Sequence, residues 1–275
     1  MIRVFVKRTT FTPIDDLAFV GNPPLFRPDD RNIPVAVSCV FSWDRPEALR
    51  LRDEWATYYN DVSVGGPAFD DPGGEFIPGR FVKHGVTITS RGCIKRCKWC
   101  FVPKREGTIR ELEIKRGNVV QDNNLLACSR KHIEAVFDML QDEKGVYFSG
   151  GFDSTLFEDW HRNLLDTIRV REIWWACDTD AAIPVIAKVA KMCDGISRNK
   201  MRCYTMIGFN GETIAQAKER CERVYNLGYL PFAQLYKGDG QQEYGEEWKA
   251  LARFWSRPAI YKSEQVKKRT WGKND

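Results

Sequence analysis

Residues 85–240 alternate between short apolar segments and amphipathic stretches, and this rhythm constrains the fold more than any other feature of the chain. The segments GVTITS, GNVVQDNN, GVYFSGG, REIWWACD, RCYTMIGF and YLPFAQLY have the length and the β-branched or aromatic content of strands. Helical patterns lie between the later ones. Ser129 is placed as an N-cap, with Ile133, Val136, Phe137 and Leu140 on one face behind it. The next helix aligns Trp160, Leu164, Leu165 and Ile168, and the one after carries Pro184 in its first turn. The last is capped by Thr213, aligns Ile214, Ala217, Cys221 and Val224, and stops at Gly228. Strands alternating with helices predict a parallel α/β sheet. Right-handed crossovers place the helices on one side of a curling sheet, so the expected form is a partial (β/α)6 barrel. Functional residues then belong at the carboxyl ends of its strands.

Ahead of this region, residues 1–84 hold a smaller α/β pattern. RVFVK, PVAVSCVFSW and DVSVGG read as strands, and RPEALRLRDEWATYY as a helix with Asp44 as N-cap and Pro46 near its first turn. Gly, Pro and Asp concentrate in GPAFDDPGGEFIPGR, which marks a boundary near residues 66–85. Residues 241–275 form the third part, a C-terminal helix and a basic tail. The helix sets Trp248, Leu251, Ala252 and Trp255 on one face for packing. The tail carries Lys262, Lys267, Lys268, Arg269 and Lys273 and reads as a solvated end.

No stretch has the roughly 18 uninterrupted apolar residues of a membrane span. Charges interrupt the apolar run of MIRVFVKRTT, so it does not read as a signal peptide and a cytoplasmic protein is expected. The net charge of +5 permits an anionic partner such as nucleic acid without arguing for one. Nine cysteines are present, an odd number, and in a reducing compartment they stay as thiols. Six stand apart from one another, as small buried hydrophobes do. Cys93, Cys97 and Cys100 fall within eight residues, in the loop that follows the first strand of the regular region.

Several thiolates in one short loop suit zinc or an iron–sulfur cluster. Structural zinc needs four ligands. The chain has three histidines, His84, His132 and His161, and neither His84 nor Cys128 has paired ligand spacing with the loop. Three cysteines on a cluster leave one iron without a protein ligand, which is what a substrate-binding metal needs.

The pattern Cys93-x-x-x-Cys97-x-x-Cys100, with Trp99 just before the last cysteine, resembles the signature of the radical S-adenosylmethionine (radical SAM) superfamily. FSGGFD (148–153) is similar to that family's glycine-rich segment, WACD (175–178) to its fourth-strand end, IGFNGET (207–213) to its fifth-strand motif and FAQLY (232–236) to its sixth strand. The resemblance spans about residues 85–240 and implies a [4Fe–4S] cluster on Cys93, Cys97 and Cys100. The fourth iron of that cluster would chelate S-adenosylmethionine (SAM). Reductive cleavage would then give a 5′-deoxyadenosyl radical that abstracts hydrogen from a substrate the sequence does not identify. It also implies SAM contacts from Trp99, Gly150, Gly151, Asp153, Asp178, Gly208 and Gln234. In the family an acid often follows the two glycines directly; here Phe152 comes first and Asp153 second. Asn123, Asn124 and Tyr236, with Gln234, are expected at the barrel mouth as candidate substrate contacts. Arg91, Lys95, Arg96 and Lys98 crowd the loop, where positive charge favours a reduced cluster. An external flavodoxin- or ferredoxin-like electron donor is implied as partner.

Residues 1–84 resemble a reduced form of the Rossmann-like cobalamin-binding domain found in one branch of the superfamily. The region is short and lacks the Asp-x-His-x-x-Gly element that ligates cobalt, so cobalamin itself is not expected. No further cysteine group offers a second cluster. The alternative to the enzyme is a non-catalytic zinc or iron–sulfur protein that contacts nucleic acid through its basic loop and tail.

Overall fold

A period of two separates the faces of the N-terminal strands. In the computed structural model, which describes residues 1–238 and 242–271 with side chains as far as Glu264, Val35 and Val37 are buried while the intervening Ala36 and Ser38 are half-buried. The chain divides into two compact units, Met1–Asn123 and Asn124–Asp275.

The first unit contains β1 (Ile2–Phe5), β2 (Ala18–Val20), β3 (Val35–Ser38), α1 (Arg45–Ala56) and β4 (Val62–Gly65). These strands make a parallel sheet in the order β2-β1-β3-β4. Ala48, Leu51 and Trp55 of α1 join Ile2, Val4, Val35 and Val37 in one core, which covers one face of the sheet. The proline-rich connection before β3 is tied to this core: Trp55 Nε1 donates to the Gly21 carbonyl at 3.0 Å and the Tyr59 hydroxyl to that of Pro28 at 2.6 Å. β2 has no sequence signal, since its three residues are set by pairing with β1 alone. Asp44 stands just before α1 but has helical backbone angles and makes no cap hydrogen bond. Its carboxylate lies 2.7 Å from Lys7 Nζ.

The second half of this unit holds β5 (Val86–Thr87), β6 (Ser90–Arg91), α2 (Val102–Arg105), β7 (Arg110–Glu111) and β8 (Val119–Val120). The single strand expected over GVTITS is broken. β5 pairs in parallel with β8, while β6 pairs antiparallel with β7.

The second unit contains α3 (Arg130–Gln141), β9 (Val146–Phe152), α4 (Asp159–Asp166), β10 (Val170–Ala176), α5 (Ile183–Met192), β11 (Met201–Ile207), α6 (Ile214–Asn226), β12 (Leu230–Leu235), α7 (Glu246–Trp255) and α8 (Pro258–Trp271). Strands β9 to β12 are parallel and adjacent in chain order, each joined to the next through a helix. Ser129 caps α3 by accepting the His132 amide, with Ile133, Val136, Phe137 and Leu140 buried behind it. Thr213 and Gln216 form a capping box on α6, whose Ala217, Cys221 and Val224 are buried. α6 ends before Gly228, which has φ +101°. Trp248, Leu251, Ala252 and Trp255 of α7 pack on Ile207, Cys221, Leu230 and Ala233. The segment after α7 forms a further helix, α8. Lys262 donates to Asn199 Oδ1 at 2.5 Å; the side chains of Lys267, Lys268 and Arg269, and residue Lys273, lie outside the described residues. Among the described residues, no helix is long and apolar enough to cross a membrane.

Candidate functional site

The break between β5 and β6 is made by a buried carboxylate. Asp122, 2% exposed, accepts the Thr89 amide at 2.6 Å, the Thr89 hydroxyl at 2.5 Å and the Ser90 hydroxyl at 2.8 Å. Burial pushes its carboxyl above the usual carboxylate range, and these donors pull it back. The side chain takes amide bonds that a continuous strand would have given to a neighbour, and so turns the chain into the cysteine loop.

A second carboxylate closes the neck of that loop. Glu106, also buried, accepts the Gly92 amide at 3.3 Å and Asn123 Nδ2 at 2.9 Å, and pairs with Arg105 at 2.5 Å. The Cys93 amide donates to the Gly107 carbonyl at 3.1 Å. Gly92 has φ +84°, and a Cβ there would stand 2.1 Å from the Thr108 carbonyl oxygen, so no other residue fits the crossing. Between these anchors the Cys100 amide turns back onto the Cys97 carbonyl at 3.1 Å, and the Lys95 amide points at Cys93 Sγ at 3.4 Å.

Cys93, Cys97 and Trp99 are half-buried and Cys100 is exposed. Three accessible sulfurs on one short turn, one of them already receiving a backbone N–H, suit an iron–sulfur cluster in donor type and access. Among the described residues no three Cys, His, Asp or Glu side chains stand gathered as a metal site. The remaining cysteines differ in kind: Cys177, Cys193 and Cys221 are buried and their thiols are pushed up to about 12 by desolvation.

In the second unit, Gly150 and Gly151 lie inside β9. Between the pairs Phe148↔Ile173 and Phe152↔Trp175, β9 has three residues where β10 has one, so Ser149–Gly151 bulge out of the ladder. Gly151 has φ +86°, and the Tyr204 hydroxyl donates to the Ser149 carbonyl at 3.0 Å. Asp153, the first residue after β9, accepts the Thr155 amide at 3.0 Å, the Thr155 hydroxyl at 2.7 Å and Asn124 Nδ2 at 3.2 Å.

Asp178 sits past the end of β10 and accepts the Met206 amide of β11 at 3.3 Å, a role between strands and not that of a helix cap. Gln234, exposed on β12, is the register partner of Met206. Gly208 has φ +78°; its amide donates to Glu212 at 2.8 Å and its carbonyl accepts the Tyr244 hydroxyl at 3.1 Å. The same hydroxyl proton is shared with the Tyr236 carbonyl, the nearer of its two acceptors. Asn124 and Asp153 thus touch, Asp178 and Gln234 meet the backbone of one residue, and Gly208 and Tyr236 share Tyr244. Asn123 belongs to the loop neck in the first unit.

Sequence reasoning missed Asp122, Glu106, Tyr244 and the buried Arg220, which pairs with Glu212 and donates to the Met206 carbonyl at 2.6 Å. Arg220 was the one with a visible signal, an arginine next to Cys221 on the apolar face of α6. The other three act across sequence distance and leave no local pattern.

No protein-family model matches the chain, and no curated protein matches it.

Proposed function

We propose that this chain is a radical SAM enzyme that reductively cleaves S-adenosylmethionine, with its strands forming a partial (β/α)6 barrel behind a reduced Rossmann-like cobalamin-domain relative. The observation that carries the proposal is the Cys93, Cys97 and Cys100 loop: accessible thiols at this spacing, between a strand and a neck closed by Asp122, Glu106 and Gly92. A [4Fe–4S] cluster, when bound there, supplies the electron that breaks the C5′–S bond and the open iron that chelates the methionine end of SAM.

The chain's own residues hold and exclude. Asp122 and Glu106 fix the two ends of the ligand loop, so that cluster binding orders only the thiols between them. The bulged backbone at Gly150 and Gly151 carries no side chain that would keep an amino group at a distance. Asp153, held by Thr155 and Asn124, offers an oriented carboxylate beside them. Asp178 and Gln234 flank the Met206 backbone as polar contacts for a ribose or base. Trp99 and Gly208 complete the SAM contacts, and Asn123 and Tyr236 are proposed to meet the substrate. An external flavodoxin- or ferredoxin-like protein supplies the electron.

Anaerobic reconstitution with iron and sulfide tests this. About four irons per chain, a brown protein and an electron paramagnetic resonance signal that changes on adding SAM are expected, each lost in Cys97→Ala. A colourless chain that takes zinc instead, with no iron retained, would identify the non-catalytic metal protein in its place.

A further inference from the structure

Only one face of the first unit's sheet is covered by α1. Against the other face lies a cavity of about 530 Å³, a volume in the range of small-molecule sites. Its floor is built from side chains small enough for close approach: Ala36 and Ser38 from β3, Ser63 and Gly65 from β4. Phe76, Phe81 and Ile88 wall it. At the carboxyl ends of β1 and β3 a second cavity of about 280 Å³ shares Ser38, Phe81 and Val82 with the first. This is the point where neighbours run to opposite sides, β2 beyond β1 and β4 beyond β3. Parallel α/β sheets bind ligands at that place.

Two arginines and two carboxylates line the larger cavity. Arg91 lines it with its guanidinium stacked on Gly73, where a Cβ would stand 3.0 Å from Cζ. Its Nε is shut off from solvent without a hydrogen-bond partner. Arg80, also lining, contacts the Met1 sulfur and the Phe81 ring. Neither arginine has an acidic partner among the described residues. The carboxylates of Asp71 and Glu75 stand at the exposed rim, where Asp71 accepts the Gly73 amide at 2.8 Å.

We infer that this cavity is a nucleotide site separate from the cysteine loop. The flat base lies on the small-residue floor between Phe76 and Phe81, the phosphate meets Arg91 and Arg80, and the ribose hydroxyls donate to Asp71 or Glu75. Guanidinium for phosphate, carboxylate for ribose hydroxyl and a floor without bulk are the three complements a nucleotide asks for together. A simple anion would leave the floor and the carboxylates unused. The site rests on residues 1–91 and needs no cluster.

Titration of the whole chain with the four ribonucleoside 5′-monophosphates, followed by calorimetry, tests it. Saturable binding of at least one below about 1 mM is expected, weaker for its nucleoside and for inorganic phosphate. Arg91→Met should weaken it at least about tenfold and Ser63→Leu, an exposed floor position that tolerates bulk, should abolish it. A Cys93→Ala, Cys97→Ala, Cys100→Ala variant, which removes any cluster, should bind as the parent does. Absence of binding by all four, equal affinity for phosphate alone, indifference to Ser63→Leu, or loss in the cysteine variant would each overturn the inference, while the iron content of the reconstituted parent reports on the cluster separately.

Discussion

Asp122 does the work of several backbone partners at once. It is shut from solvent and receives three donors from Thr89 and Ser90. Removing it leaves those donors buried without an acceptor, at about 1–3 kcal/mol for each unsatisfied group. Asp122→Ala should therefore lower unfolding stability by roughly 3 kcal/mol or more in urea titration, and the loosened loop should retain less iron. A variant with parental stability and iron content would show that the loop does not depend on this carboxylate. His161 offers a second test. It is 3% exposed, its Nδ1 accepts the Glu158 amide at 3.0 Å, and burial pushes it down to about 4. The unfolded chain titrates near 6.5 at this residue. Between these values the unfolded state binds the extra proton, so stability is full above pH 6.5 and falls as pH drops toward 4. The loss should reach up to about 3 kcal/mol. His161→Gln keeps an acceptor for the Glu158 amide and should flatten that part of the profile; an unchanged slope would assign it to other groups.

At the scale of elements, the neck of the cysteine loop rests on Gly92. Gly92→Ala sets a Cβ at 2.1 Å from the Thr108 carbonyl oxygen and strains φ +84°, so the β6–β7 pairing should open. The expected result is reduced iron loading with the far-ultraviolet spectrum little changed; full loading would mean the neck need not close. The helix boundaries at Ser129 and Thr213 were legible because a cap acts within one turn, so the residues that make it are adjacent in sequence. The cysteine spacing was legible for the same reason. The split of GVTITS into β5 and β6 was not, because Asp122 lies 33 residues from Thr89. The same holds for β2, whose partner strand alone defines it. Asp44 misled because a good N-cap residue type was taken up by Lys7 instead. Gly150 and Gly151 fall in a segment that reads as a strand; their bulge within β9 is invisible in the sequence because it depends on the pairing with β10.

Across the whole molecule, two kinds of thiol carry different physics. The buried cysteines of the second unit are held protonated by desolvation, whereas the three in the loop reach solvent or half reach it. Alternation of strand and helix predicted the parallel α/β class, and both units display it. Polar side-chain contacts, Arg220 with Glu212 and Tyr244 with Gly208, fix the strand ends on which a functional site would be built. Of these, only Arg220 shows in the sequence, as an arginine on the apolar face of α6. The central proposal is chemical and has a direct measurement. Reconstituted protein is reduced with dithionite in the presence of SAM, and 5′-deoxyadenosine is quantified by chromatography. Release that requires protein, reductant and all of Cys93, Cys97 and Cys100 is the expected result. A fully iron-loaded chain that leaves SAM intact under every reductant would contradict it.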